Sequence, residues 1–120
     1  TIIPGFAMAN GAPLMAFGLM GGPMQAQGHL QLVVRTLLHG QNPQAASDAP
    51  RWQVIGGRKV SVESTMPPDL VRGLVERGHL IHREPPQAAF AFGGAQLILR
   101  TDTGYVAGSD HRKDGMAVAF

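Results

Sequence analysis

Cysteine is absent from the 120 residues, which removes disulfides, thiolate metal sites and a cysteine nucleophile from consideration. Charge is scarce: 15% of residues are charged, against roughly 25% in an average soluble domain. That scarcity fits either a surface partly covered by something else or a compact, low-charge monomer. No apolar window of about 18 residues occurs, so no membrane-spanning helix is expected. The ten Lys and Arg residues give a net charge of only +2 and are scattered, with no basic stripe carrying interleaved aromatics. Nucleic-acid binding therefore has no support. The first residues, Thr1-Ile2-Ile3-Pro4-Gly5, lack both an initiator Met and the basic leader of a signal peptide. The chain is expected to be processed or to begin inside something longer.

Apolar residues are plentiful, at 44%, enough for one core, and residues 1–120 read as a single domain or domain fragment. Sixteen glycines and nine prolines call for many turns between short elements. Asn10-Gly11 is a two-residue turn between two apolar strands, 1–8 and 13–19. Gly56-Gly57 joins a second hairpin, 52–55 with 59–63, and 101–104 joins a third, 95–100 with 105–107. Leu30, Val33, Val34, Leu37 and Leu38 recur at helical spacing and predict a helix face on the core, stopped by Gly40. Pro43 opens a short helical turn. Pro67-Pro68-Asp69 opens another helix, with Leu70, Val71, Leu74 and Val75 as its stripe and Gly78 as its end. His79 to Arg83 reads as a strand, and 84–91 as a loop. Strands and helices in this order predict an α+β fold with antiparallel hairpins and two main helices.

Four blocks then carry a likeness. Gly18-Leu19-Met20-Gly21-Gly22-Pro23-Met24-Gln25-Ala26-Gln27-Gly28-His29 resembles the glycine-pair segment of the gamma-glutamyltransferase family. Residues 42–51, Asn-Pro-Gln-Ala-Ala-Ser-Asp-Ala-Pro-Arg, resemble its downstream helix and Ala-Pro-Arg segment. Phe92-Gly93-Gly94-Ala95-Gln96 and the run from Ala107 to Gly115 resemble its last two blocks. The blocks stand in family order and span nearly the whole chain. The resemblance implies an N-terminal nucleophile hydrolase, an αββα sandwich of which this is the C-terminal part of the smaller subunit. In such enzymes the precursor cleaves itself, and a new N-terminal threonine attacks gamma-glutamyl amides. The acyl group then passes to water or an acceptor amine. Cephalosporin and glutaryl acylases are similar to the same family. The Met-Gly-Gly-Pro-Met-Gln form resembles its broad bacterial branch, for which cytoplasm and periplasm both stay open.

Gly21 and Gly22 match the family pair whose backbone N–H groups form the oxyanion hole, and they are the expected catalytic and substrate-binding residues. Glycine suits that task because the backbone can approach closely and adopt positive φ, and donors at a helix start face the same way. Without the resemblance, the same residues describe a tight strand-to-helix turn with no ligand. Thr1 invites another assignment, since an N-terminal threonine can use its own α-amine as base. The family's nucleophile, however, lies far upstream of the glycine pair, while Ile2-Ile3-Pro4 resembles the strand running directly into it. Thr1 is accordingly expected to be an internal strand residue. The family's serine pair, arginine and aspartate that hold the substrate's α-groups have no counterpart in these residues.

Among the histidines, His29 could line a pocket or pack its helix. His79 and His82, three apart on a strand, should face opposite sides, which does not make a shared metal site. Asp48 with Arg51, and Asp110 with Arg112, read as buried ion pairs or turn hydrogen bonds rather than a carboxylate dyad. Trp52 is expected in a core or interface. No cofactor or metal is implied. The chain is thus expected to contribute the oxyanion side of an amide-acting acyltransferase or hydrolase and to be inactive alone. Its partners would be the large subunit and the N-terminal part of the small subunit, with a gamma-glutamyl or related amide as substrate. The alternatives are a non-catalytic half that pairs with a complementary chain or with itself, and an anion-binding module built on the glycine pair.

Overall fold

The computed structural model describes residues 2–119; the expectation for Thr1 lies outside them. Two β-strands, β1 (Ile2–Ala9) and β2 (Ala12–Met20), are joined by the Asn10-Gly11 turn. Helix α1 (Met24–Val33) follows and runs on as a π-helical segment, Val34–Leu38. After the short helix α2 (Pro43–Asp48) come β3 (Trp52–Gly56), β4 (Lys59–Val62), helix α3 (Pro68–Glu76) and β5 (Leu80–Arg83). A 3-10 segment, Pro86–Phe92, leads into β6 (Gly94–Thr101) and β7 (Gly104–Ser109). The α+β reading holds, and each of the three expected hairpins is present.

The strands form two sheets, one of order β1-β2-β6-β7 and one of order β3-β4-β5. The first is antiparallel throughout, with Leu19 opposite both Ile3 and Ala95. In the second, β4 and β5 run parallel, with α3 as the crossover. The sequence reading anticipated only hairpins. A parallel pair needs a connection long enough to carry the chain back, and α3 provides it.

Alternation of side chains across β2 and β6 sends Met15, Leu19, Ala95 and Leu97 to one face, where Met24 and Leu32 of α1 complete the core. The opposite face of that sheet is left open, and Ile2, Phe6 and Ile98 are exposed. A shallow apolar groove of about 600 Å³ runs across this face between Pro4, Ala16, Gly18 and Val118. A smaller core, Val60, Val62 and Met66 with Trp52 packed against it, lies under the second sheet.

Of the stripe expected to face the core, Val33 packs against it, but the leucines do not. Leu30 is 54% exposed and Leu38 74%. Met24, Gly28 and Leu32, spaced by four, are the inward residues instead. The π-helical segment then adds residues per turn, so the 3.6-residue period stops describing Leu37 and Leu38. Helix α3 likewise has no buried residue; Val71 reaches the smaller core, whereas Leu70 and Val75 are exposed.

The polar residues of α1 explain how its other sides are held. Gln25 Oε1 accepts from the Ile3 N–H at 2.7 Å, tying the helix to β1. Gln27 and Gln31, one turn apart, each exchange a pair of hydrogen bonds with the backbone of β3, at Val54 and Trp52. Two side-chain amides thus continue the ladder of β3 and cover an edge that would otherwise be unpaired.

Candidate functional site

Gly21 and Gly22 occupy the link between β2 and α1, with φ of 139° and 57°. Both angles lie in the region that side chains rarely adopt, so glycine is required there on conformational grounds. Their carbonyls start the helix: Met24 N–H donates to Gly21 O at 3.1 Å and Gln25 N–H to Gly22 O at 3.0 Å. Among the described residues, neither glycine's own N–H is taken up by an acceptor of this chain. Gly22 is exposed and Gly21 half-buried. The apolar groove of the open sheet face includes neither of them.

Gly21 is hemmed in on one side. A Cβ placed on it would lie 3.0 Å from Gly93 Cα and 3.3 Å from Met24 Cβ. Gly93 itself, at φ 81°, sits against the Met20 carbonyl oxygen and the Leu19 side chain. The Phe92–Ala95 segment is held there from several directions. Arg51 Nη1 donates to Phe92 O at 3.0 Å, and Ala95 N–H donates to Asp110 Oδ2 at 2.7 Å. The stem of Lys113 covers Gly94 while its Nζ sits over the Phe90 ring, 3.0 Å from the centroid.

Arg51 and Asp110 are wholly buried and paired at 2.5 Å. Arg51 also donates to Ser47 O, and its backbone N–H to Glu63 Oε2. Arg112 holds Glu63 through two bonds of 2.6 Å and reaches Asp110 Oδ1 at 3.1 Å. The guanidinium of Arg35 caps the carbonyls of Ala49 and Pro50; burial, then the nearby Arg51 and Arg112, push it down to about 10. Burial alone would raise the Asp110 carboxyl, but Arg51 and the backbone N–H groups of Arg112 and Ala95 hold it below the ordinary range.

The pairing expected between Asp48 and Arg51 is therefore corrected. Arg51 turns inward to Asp110, 59 positions away, because a buried guanidinium needs an equally buried carboxylate. Asp48 stays at the surface beside His111 Nδ1, 3.0 Å away, and Gln44. Asp110 does pair with Arg112, and it also closes its own turn by accepting from the Arg112 N–H at 2.9 Å. Trp52 is half-buried against the smaller core, as expected. His82 Nε2 is exposed near Glu84.

His29 packs its ring edge-on against Phe17, 5.1 Å between centroids, and its Nε2 accepts from the Leu19 N–H at 3.1 Å. It is a packing residue of the core face, one helical turn beyond Gln25. Burial holds its pKa below the ordinary imidazole range, so the folded state prefers the neutral ring. The unfolded chain then binds the proton first. The stability owed to this ring is complete above about pH 6.5 and is lost as pH falls through the lower folded value. Urea midpoints measured from about pH 7.5 down to about pH 5 should fall for the parent chain more than for His29→Gln. Parallel pH profiles for the two proteins would refute this coupling.

The family model described as Gamma-glutamyltranspeptidase matches residues 1–120. The Acylase ACY 1 proenzyme of Pseudomonas sp. (strain V22) is 31% identical over 121 residues, covering all of this chain and 21% of that protein. The crystal structure of cephalosporin acylase from Bacillus halodurans superposes with a TM-score of 0.89 at 47% identity, covering 98% of this chain and 22% of the other. Gamma-glutamyltranspeptidase from Pseudomonas nitroreducens, complexed with L-DON, superposes with a TM-score of 0.82 at 15% identity, which carries the fold alone. There the cover is 100% of this chain and 62% of that one. The chain thus spans about a fifth of the acylases it matches.

Proposed function

Starting from the fact that the chain belongs to the gamma-glutamyltranspeptidase family, related to the acylases, we propose that it supplies the oxyanion donors of an amide-acting acyltransferase or hydrolase. Its fold is that of part of an N-terminal nucleophile hydrolase. Gly21 and Gly22 offer adjacent N–H groups at the start of α1, and polypeptide outside these residues brings the threonine nucleophile. The supporting observation is that two consecutive amides at a strand-to-helix link have no acceptor among the described residues.

The chemistry follows from charge. As the threonine Oγ attacks an amide carbonyl, its proton passes to the threonine's own α-amine, which later hands it to the leaving amine. The C=O π bond breaks and leaves a negative oxygen on a tetrahedral carbon. Donors fixed before the reaction stabilise that oxygen without reorganising, and losing one costs roughly 2.7–4 kcal/mol of barrier. Collapse expels the amine, which takes up a proton, and leaves an acyl-enzyme. Water or an acceptor amine then removes the acyl group. The substrate class is a gamma-glutamyl amide or a related side-chain amide. The large subunit and the N-terminal part of the small one would cover the open apolar sheet face.

Two measurements test this reading. The isolated chain should not turn over a chromogenic gamma-glutamyl anilide; turnover abolished by blocking the Thr1 amine would make Thr1 the nucleophile and overturn the proposal. In the complete enzyme, forming the adduct of a boronic-acid substrate mimic should move the amide proton resonances of Gly21 and Gly22 downfield. Resonances that stay in place remove both glycines from the site.

The exposed Ile2, Phe6 and Ile98 on one sheet face also favour a second reading, a non-catalytic half that pairs with a complementary chain or with a copy of itself. Sedimentation showing a monodisperse, heat-resistant monomer would dismiss it.

A further inference from the structure

We infer that Gly93 is a positioning residue for the Gly21 donor, acting through the peptide unit between Met20 and Gly21; this rests on the oxyanion reading above. A peptide unit is planar, so the carbonyl oxygen of Met20 and the N–H of Gly21 are opposite ends of one rigid plate. Whatever fixes that oxygen fixes the direction of that N–H. Gly93 is what the oxygen meets. A Cβ on Gly93 would stand closer than 3.0 Å to Met20 O, and a Cβ on Gly21 would reach Gly93 Cα at 3.0 Å. The two glycines therefore pack backbone on backbone, with no flexible side chain between them that could give way.

The support behind Gly93 is equally stiff. Met20 and Gly94 face each other across β2 and β6, so the plate lies at the end of a paired ladder. Phe92 and Ala95, on either side of the Gly93-Gly94 pair, are bonded to the two partners of one ion pair, Arg51 and Asp110, both without solvent exposure. Preorganised donors are worth most when nothing needs to move as charge develops. Phe92, 41 residues from Arg51 in sequence, is thereby fixed beside the link that carries Gly21.

The test uses the complete enzyme, with turnover expressed per nucleophile titrated by its acyl burst, so that misfolded molecules do not count. Gly93→Ala should lower kcat about a hundredfold, the scale of one lost donor, while KM stays within about threefold. A kcat equal to the parent's, or a loss confined to KM, overturns the inference. If Gly93→Ala yields no folded enzyme, Asp110→Asn takes its place, since it weakens the hold on Ala95 at nearly constant volume. There, kcat lowered about tenfold at constant KM upholds the inference, and unchanged kcat overturns it. The boronate experiment separates the two levels. If the adduct leaves the Gly21 and Gly22 amides unmoved, the oxyanion reading fails and carries the inference with it. If the amides move but neither variant loses kcat, only the positioning role of Gly93 fails.

Discussion

Asp110→Ala is expected to destabilise the chain by about 3–5 kcal/mol, seen as a large drop in the urea midpoint at unchanged slope. Four donors converge on this carboxylate: Arg51 Nη2, Arg112 Nη1 and the N–H groups of Ala95 and Arg112. Removing it leaves the Arg51 guanidinium with no solvent exposure and only carbonyl partners at Phe92 and Ser47. An uncompensated buried charge is what makes such losses large; replacing both partners by apolar residues would cost far less. Total stabilities of about 5–15 kcal/mol leave little after such a loss. Asp110→Asn keeps an acceptor for Ala95 and should fall between parent and alanine variant. An Asp110→Ala protein within about 1 kcal/mol of the parent would show that the cluster is not held as described.

Leu19→Ala should cost about 2–5 kcal/mol. Leu19 has no solvent exposure and fills a slot between two glycines: a Cβ on either Gly28 or Gly93 would press into its methyl groups. Its loss leaves a void walled by the α1 backbone on one side and the Gly93 backbone on the other, and neither can collapse freely. The reverse change, Gly28→Ala, overpacks the same slot and should cost about 1–3 kcal/mol. Combined, the two changes should partly cancel, since the new methyl occupies the space that Leu19 vacates. Double-mutant analysis of the denaturation midpoints gives the coupling. Strict additivity would show that the two residues do not share that space.

Much of the fold is legible in the residues because turns act locally. Asn10-Gly11 and Gly56-Gly57 mark their hairpins, and Asn42 caps α2 by accepting from the Ala45 N–H at 2.8 Å. Features set by distant partners are not legible in that way. Nothing near Arg51 in sequence says that its carboxylate is Asp110, and nothing in β4 says that β5 will lie parallel to it. The Leu30–Leu38 stripe misled for another reason: apolar spacing indicates a helix, but it does not choose which side is inward when polar residues have better partners. Gln25, Gln27 and Gln31 had such partners in strand backbones. Amides spaced four apart were the available signal. The glycine pair was found through family likeness, whereas Gly93 emerged only once β6 stood beside β2.

The order of strands in the first sheet has a consequence for how the protein is made. Strand β2 finds β6 only after the intervening residues 21–93 have left the ribosome. At roughly 5–20 residues per second, the opening hairpin spends several seconds with its apolar side chains uncovered. Nascent chains of this kind are expected to engage a chaperone early and release it once β6 arrives, and truncations that end before β6 should aggregate during expression.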